Sequence, residues 1–247
     1  MKVTKLPWAG IRIEINDTSI VIDPLYHFPS KFGQPHEEFF PLNDFGRIDA
    51  VLITHHHPDH FDQPAIAQFY GEEIPVYLPS ESLKFINSSS LKQIHGVELG
   101  QLIKIGSAEV IPAFSMDGFG DPQVSWIVRG NGHQVIHCGD TLWHGHWWNI
   151  KSTYGPFDIA CLPVNAAIVE FRGDPPSGQP ISLSPEQAVS AAFVLEAKTL
   201  IPIHYKAIHY PPIYRQTPDL IDRLQSSAMT RGLELSILDT KESLVLE

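Results

Sequence analysis

The chain has 247 residues, of which 43% are hydrophobic and 18% charged, a composition typical of a globular protein with its own core. This composition argues against intrinsic disorder, which needs low hydrophobicity and high charge. Seventeen Lys and Arg against 28 Asp and Glu give a net charge of −11, which disfavours nucleic acid or an anionic membrane surface as a general partner.

Short apolar runs separated by turn residues dominate the first half of the chain. Residues 10–15 alternate between apolar and other side chains, which predicts a half-buried strand. Residues 19–23 follow an Asn-Asp turn and complete a hairpin that Pro24 ends. Residues 24–47 are rich in aromatic residues, Pro and Gly without a period, which predicts a long loop.

Later segments predict further strands with helices between them. A short buried strand over 49–54 runs directly into a histidine cluster. Other strands are predicted at 75–78, 102–105, 108–114, 123–129, 133–138, 158–164, 199–203 and 234–238. Ser184 with Gln187 forms a capping-box pattern that begins a helix, Thr217-Pro218-Asp219 begins another, and Asp62 is a third N-cap. This order predicts two sheets covered by helices, an α/β architecture in one domain over residues 1–247.

The segment Thr54-His55-His56-His57-Pro58-Asp59-His60 has the spacing of a metal site. In extended backbone, residues two apart point to the same side, and Pro58 favours extended backbone at His57. His55 and His57 can therefore face one cation, while Asp59 and His60 face a second. Imidazole and carboxylate ligands suit zinc first, with manganese or iron as alternatives. The competing interpretation is a polar turn with incidental histidines.

Two more strands end on residues that could bind a metal. The predicted strand 133–138 is followed by Gly139 and Asp140, and strand 199–203 is followed by His204. Side chains at strand ends can be aimed into a shared cleft, and Asp140 has the position to bridge two cations. The alternatives are a turn cap for Asp140 and a core histidine for His204.

These motifs together resemble the metallo-β-lactamase superfamily. HHHPDH matches its HxHxDH signature, Gly139-Asp140-Thr141 resembles its bridging-aspartate motif, and Ile203-His204-Tyr205 is similar to its last metal histidine. Ile22-Asp23-Pro24 resembles an early strand of the family. The most similar branch contains L-ascorbate 6-phosphate lactonase and N-acyl-phosphatidylethanolamine phospholipase D. The resemblance implies an αββα sandwich, metals at one edge of the sheets and a metal-bound hydroxide as nucleophile.

One ligand of that family is absent at its usual position. The family expects a histidine two residues after Pro112-Ala113, where this chain has Ser115, and a neutral hydroxyl is a poor replacement for imidazole. Three outcomes stay open. The first metal site is weak, leaving one cation on Asp59, His60, Asp140 and His204. Alternatively another side chain fills the gap, with His144, Asp117 and His36 as candidates, or the chain binds metal without turnover.

The sequence predicts a metal-dependent hydrolase of an ester-like bond, a phosphodiester or a lactone, that uses one or two divalent cations. Asp59 is predicted to orient water, and His144 to donate a proton to the leaving group. The rival function is a non-catalytic metal-binding sandwich that binds a ligand or a partner. The expected substrate is a small molecule, which can be anionic. Neither nucleic acid nor a membrane is expected as a partner, and the sequence leaves open whether the chain forms a homo-oligomer. No signal peptide or membrane span is evident, so the expectation is a cytoplasmic protein.

Overall fold

The computed structural model describes residues 1–86 and 89–247, in which strands are the dominant elements. The strands are β1 (Lys2–Lys5), β2 (Ile11–Ile15), β3 (Thr18–Ile22), β4 (Ala50–Leu52), β5 (Val76–Pro79), β6 (Ile94–Val97), β7 (Ile103–Ile105), β8 (Ala108–Phe114), β9 (Val124–Gly130), β10 (His133–His137), β11 (Ile159–Pro163), β12 (Ile168–Val169), β13 (Thr199–Ile203), β14 (Tyr214–Arg215), β15 (Glu234–Leu235) and β16 (Ser243–Val245). The α-helices are α1 (Gln63–Tyr70), α2 (Trp147–Tyr154), α3 (Pro185–Val194) and α4 (Leu220–Arg231). Short 3-10 helices cover Ser30–Phe32, Leu42–Phe45 and Ser80–Phe85.

Two seven-stranded sheets organise the chain. The first has the order β16-β1-β2-β3-β4-β5-β6 and the second has the order β15-β13-β11-β10-β9-β8-β7. Each sheet joins an antiparallel part to a parallel part, which runs from β3 to β6 in the first sheet and from β10 to β15 in the second. The carboxyl ends of parallel strands meet at one edge of a sheet, where α/β folds place their sites.

Apolar side chains on both faces of the sheets hold four layers together. The inner faces form one core, in which Ile13 and Leu52 of the first sheet meet residues such as Val128 of the second. The outer face of the first sheet packs under α1. The outer face of the second packs under α2, α3 and α4. The layers are therefore α, β, β and α, which confirms the sandwich implied by the family resemblance.

The strands predicted from periodicity lie where expected. In β2 the three isoleucines are buried while Arg12 and Glu14 are half-buried, as the alternation predicted. All three residues of β4 are buried, because Ala50 and Leu52 face the inner core while Val51 faces the core beneath α1. The strand predicted over 234–238 is shorter than expected, since β15 covers only two residues.

Two of the helix starts have the capping predicted for them. The Ser184 side chain accepts from the Gln187 backbone N–H, and the reciprocal bond completes the capping box of α3. The Asp62 side chain accepts from Ala65 N at the start of α1. By contrast, α2 was not predicted, because it begins after His146 without a side-chain cap. Burial of Trp147 and Ile150 against the second sheet stabilises it instead.

Other differences lie in short or peripheral segments. The predicted loop over 24–47 contains two 3-10 helices that bury Phe32, Leu42 and Phe45. Strands β1, β6, β12, β14 and β16, each two to four residues long, were not predicted. Both cysteines are buried free thiols, as expected. Among the described residues, no helix has the length and apolar character needed to cross a bilayer.

Candidate metal centre

The histidines and aspartates identified in the sequence follow strands that end at the same edge of the sandwich. The segment 55–60 follows β4, Asp140 follows β10 and His204 follows β13. Strand β8 is antiparallel to β9, which is antiparallel to β10, so β8 also ends at this edge. Residues after β8, including Asp117, are thereby brought to the same place.

One group of possible ligands consists of His55, His57, Asp117 and Asp140. One ligand atom from each of these four side chains lies within 4.8 Å of the others. His55 Nε2 is 3.8 Å from Asp140 Oδ2, and His57 Nδ1 is 3.8 Å from Asp117 Oδ1. These separations are too long for hydrogen bonds and leave room for a cation between the atoms.

A second group lies beside the first and consists of Asp59, His60 and His204, again within 4.8 Å of one another. Asp59 Oδ2 is 3.7 Å from His60 Nε2 and 3.8 Å from His204 Nε2. Asp140 Oδ2 is 3.9 Å from His204 Nε2 as well as close to His55. Asp140 Oδ2 therefore lies close to an imidazole of each group, and its bridging of two cations stays a prediction.

Unpaired polar atoms test whether this arrangement fits a metal. His55 Nε2, His60 Nε2, His204 Nε2 and Asp117 Oδ1 are buried without a hydrogen-bond partner among the described residues. A buried polar atom without a partner is costly, about 1–3 kcal/mol each, unless something else binds it. Imidazole and carboxylate ligands directed at one another in a buried cluster fit one or two divalent cations.

Asp23 orients two of the imidazoles. Its Oδ2 lies 2.8 Å from His60 Nδ1 and accepts from Thr54 Oγ1 at 2.6 Å, while its Oδ1 accepts from Thr54 N at 2.8 Å. Because Thr54 Oγ1 donates to Asp23, it is free to accept from His55 Nδ1, 3.0 Å away. Both rings are thus fixed through Nδ1 and present Nε2 to the cluster, the usual arrangement of a metal-binding histidine.

Other side chains position Asp59, His204 and His57. Trp8 Nε1 donates to Asp59 Oδ2 at 3.2 Å, and the Trp8 ring packs on His204 with centroids 4.1 Å apart. His57 Nε2 lies 2.9 Å from Asp121 Oδ2, which leaves Nδ1 toward the cluster. His56 does not join either group; its ring stacks on Phe85 at 4.0 Å.

The turns at this edge use left-handed backbone. The φ angles of Asp23 and His204 are 47° and 58°, a conformation that costs a non-glycine residue about 1–3 kcal/mol. Two features require glycine at position 139. Its φ is 61°, and a Cβ at this position would lie 2.9 Å from Thr54 Oγ1, which is too close. The glycine before Asp140 therefore lets β10 end directly against the histidine segment.

Burial and charge shift the acid–base equilibria of the cluster. Burial alone would lower the pKa of His60, but the adjacent Asp23 carboxylate raises it to about 9. Burial lowers the pKa of His204 to about 4 and raises the pKa of Asp140. Burial also opposes ionisation of Asp59, but the imidazoles of His204 and His60 hold its pKa below the ordinary value. Opposed shifts in one cleft are typical of a functional site.

Ser115 makes hydrogen bonds outside the two ligand groups. Its Oγ donates to Cys138 O at 3.2 Å and lies 2.7 Å from the Gln123 amide. Asp117, two residues further on, supplies the carboxylate beside His57 instead. Its other oxygen, Oδ2, accepts from the backbone N–H groups of Phe119 and Asp121. Of the three candidates for the missing ligand, the structure brings Asp117 to the first group.

The other two candidates lie elsewhere. His36 is near the surface, with Nε2 2.9 Å from His209 O. His144 is buried, stacks on Trp147 with centroids 4.1 Å apart and contacts the edge of Phe114. It is not among the lining residues of a cavity of about 210 Å³ that opens beside the cluster. Burial lowers its pKa to about 4, so the ring is neutral near pH 7 and poorly suited to donate a proton. The role predicted for His144 stays a prediction without a supporting contact.

The sequence interpretation did not assign the roles of Trp8, Asp23, Asp121 and the loop aromatics. Asp23 was noted only as part of a family-like strand, and no local pattern marks Trp8 or Asp121. The one available signal was a buried acidic residue directly after the hairpin, because a buried carboxylate needs a partner.

Comparison with known proteins places these features in context. A family model described as a beta-lactamase superfamily domain matches residues 18–205. A UPF0173 metal-dependent hydrolase of Methanopyrus kandleri is 28% identical, covering 98% of this chain and 99% of its own length. Another, of Rubrobacter xylanophilus, is 30% identical and covers 96% and 92%. The solved structure of Igni18, a novel metallo hydrolase from Ignicoccus hospitalis, has a TM-score of 0.72 at 22% identity, covering 100% of this chain and 98% of its own.

Proposed function

The chain belongs to the β-lactamase superfamily, as a metal-dependent hydrolase of the UPF0173 family, and we propose that it cleaves an ester-like bond at a centre of two divalent cations. The first cation is assigned to His55, His57, Asp117 and Asp140, and the second to Asp59, His60, His204 and Asp140. The set of buried, unpaired ligand atoms that face one another in these two groups carries the proposal.

Cations in such a centre lower the pKa of a coordinated water from about 15.7 toward 7 and polarise a carbonyl or phosphoryl oxygen. Asp59 is the side chain placed to orient that water. Its Oδ2 is held by Trp8 Nε1, while its Oδ1 makes no hydrogen bond to any described residue and belongs to a carboxylate that lines the cavity. The lowered pKa keeps Asp59 ionised, so Oδ1 is available to accept a hydrogen bond from water.

The types of ligand atom indicate which metals the centre prefers. Zinc fits imidazole with carboxylate, as the sequence suggested. With Asp117 in place of an imidazole, the first group offers two imidazoles and two carboxylates, the same set of donors as the second group, and manganese and iron also accept this set. We therefore propose zinc, manganese or iron for both groups.

We propose that the substrate is a small molecule that contains a phosphodiester or a lactone. We also propose that the protein is cytoplasmic. The rival function, a metal-binding sandwich without catalysis, drew its support from Ser115. Asp117 lies in the first group, however, and all seven proposed ligands fall within the two groups, which favours the enzyme.

Metal counting with two variants tests the proposal. Purified protein is stripped, reloaded with zinc, manganese or iron(II), and analysed for metal per chain and for hydrolysis of lactones and bis(p-nitrophenyl) phosphate. We expect two equivalents in the unaltered protein, none retained tightly in Asp140→Ala and one in His60→Ala, with hydrolysis lost in both. His95→Ala, which removes an exposed histidine stacked on Tyr77, is the matched control. Unchanged metal and hydrolysis in both site variants would disprove the assignment.

A further inference from the structure

A cavity of about 210 Å³ opens beside the candidate metal centre. Four of its lining side chains come from the cluster itself: His57, Asp59, Asp140 and His204. The apolar lining side chains, called here the aromatic wall, are Phe32, Phe119, Phe171, Ile181 and Tyr214. The wall shares the cavity with the proposed ligands, so any substrate that reaches them also contacts the wall.

The aromatic wall is continuous from the protein surface to the metal-facing imidazoles. Phe119, which is 50% exposed, stacks on Phe171 with centroids 5.7 Å apart, and Phe171 lies 6.2 Å from Phe32. Phe32 contacts Tyr214 at 5.3 Å. Tyr214 in turn contacts Trp8, the residue that packs on His204. A large exposed apolar ring at the mouth of a cleft is typical of a ligand-binding surface.

Charged groups at the cavity are few. Apart from the cluster, only Lys31 and Asp174 carry charge among the described lining residues, and their charges are opposite. Lys31 Nζ lies 4.8 Å from the Phe32 ring and 5.3 Å from the Phe171 ring. Besides the cations, a phosphodiester is usually bound by several charged donors, often a bidentate arginine, and beyond the cluster this cavity offers only one lysine and one aspartate among its described lining residues. The lining therefore favours a substrate whose remote part is neutral and apolar.

The volume limits the substrate further. Binding sites for drug-sized molecules typically enclose about 300–1,000 Å³, which is more than this cavity offers. The cavity accommodates a small group such as a single ring next to the reacting bond.

From this wall, its charge balance and its volume, we infer that the substrate is a small carboxylic ester or lactone with an apolar, ring-sized substituent, and not a phosphodiester. The inference depends on the proposed hydrolase function and narrows its substrate class. In the reaction the oxygen of water forms a new bond to the acyl carbon and the acyl carbon–oxygen bond breaks. One proton of that water passes to the leaving alkoxide; an ester gives an alcohol and a carboxylic acid, and a lactone gives a single hydroxy acid.

Two lactones that differ only by a ring test the inference. γ-Phenyl-γ-butyrolactone and γ-butyrolactone are compared as substrates of the two-metal protein, with bis(p-nitrophenyl) phosphate as the phosphodiester. We expect kcat/KM for the phenyl lactone to exceed that for the parent lactone by about tenfold or more, the size expected for burying an aromatic ring. Turnover of the phosphodiester is expected to be slower than that of either lactone.

Variants of the wall identify the contact. Phe171→Ala and Phe119→Ala should each lower the preference for the phenyl lactone by about tenfold, mainly through KM, while metal content stays at two equivalents. Phe119 is half exposed, so its truncation is not expected to affect folding. Phe193→Ala, at a 52% exposed phenylalanine of α3 remote from the cavity, is the matched control and should leave the preference unchanged.

Binding of the hydrolysed products separates failure of this inference from failure of the proposed function. Calorimetry compares 4-hydroxy-4-phenylbutanoate with 4-hydroxybutanoate on the unaltered protein and on Phe171→Ala. Tighter binding of the phenyl acid that disappears in the variant supports the wall even if no lactone is turned over, in which case the hydrolase proposal fails. Equal binding of the two acids, or faster turnover of the phosphodiester, overturns the inference and leaves the hydrolase proposal standing.

Discussion

The two ligand groups of the centre share Asp140 but differ in how their side chains are held. In the second group His60 and its partner Asp23 have fully buried side chains, and both follow strands of the first sheet. In the first group the His57 side chain is 19% exposed and its partner Asp121 is 33% exposed. Asp117 and Asp121 both come from the loop after β8, which also carries Phe119 of the aromatic wall.

This difference suggests that the two groups bind their cations with different affinity and rigidity. Sites built on strands hold their ligands more precisely than sites built on loops. The second group is therefore expected to bind its cation more tightly. The ligands of the first group are expected to move more easily, because one loop carries Asp117, the His57 partner Asp121 and Phe119 of the aromatic wall. The predictions that follow test this comparison, beginning with the largest expected effect.

Asp117→Ala should abolish binding at the first group and leave the second occupied. We expect metal content to fall from two equivalents to one. Hydrolysis should fall by more than the about 10–100-fold typical of losing an outer partner of a metal ligand. Elemental analysis and steady-state kinetics measure both. Ser115→Ala is the control and should keep two equivalents; the reverse pattern would mean that Ser115, and not Asp117, serves the first cation.

Asp23→Asn should weaken the second group through His60. The amide has one acceptor oxygen where the carboxylate has two, so a donor among Thr54 N, Thr54 Oγ1 and His60 Nδ1 loses its partner. We expect metal affinity to fall about 10–100-fold. The free energy of unfolding should fall by about 1–3 kcal/mol. Competition with a chelator and urea unfolding measure the two effects.

Asp121→Asn is the matched variant in the first group. Since this carboxylate is partly exposed, solvent can replace part of its interaction with His57, and a smaller loss than for Asp23→Asn is expected. Equal losses from the two variants would contradict the proposed difference between the groups.

His144→Phe should have a small effect, because the ring lies among Phe114 and Trp147 and outside the cavity. We expect two equivalents of metal and a change in kcat below about tenfold, against the about 10²–10⁴-fold effect of losing a general acid. The pH dependence of kcat should keep its shape. Loss of the basic limb of that profile in the variant would restore the proton-donor role predicted from the sequence.

Glu186→Gln measures the effect of removing a carboxylate from an ion pair far from the centre. The Arg223 guanidinium, 2.7 Å from Glu186 Oε2, lowers the pKa of Glu186 to about 2. A lowered carboxyl pKa stabilises the fold above the ordinary value of 4.5, and this contribution is lost as pH falls toward 2. Because the pair is exposed, we expect the variant to be less stable by under about 1 kcal/mol at pH 7, with the difference vanishing in acid. Urea unfolding of the metal-free proteins at pH 7, 4 and 3 measures it.

Local chemistry made much of the fold predictable and named six of the seven proposed ligands. Alternating residues placed β2, a buried run placed β4, and the Ser184 capping box placed the start of α3. The spacing of His55, His57 and His60 indicated two cations, because backbone geometry over six residues decides which side chains share a side.

The sequence by itself therefore determined the type of sandwich, and its motifs named His55, His57, Asp59, His60, Asp140 and His204 as candidate ligands. Only the tertiary structure decided that Asp117, and not Ser115, lies with His55 and His57, that Asp23 orients His60 directly and His55 through Thr54, and that phenylalanines from three separate segments line the cavity. These relations join residues that are remote along the chain. Their contacts depend on how the ends of β3, β8 and β13 converge, which no local pattern of residues records.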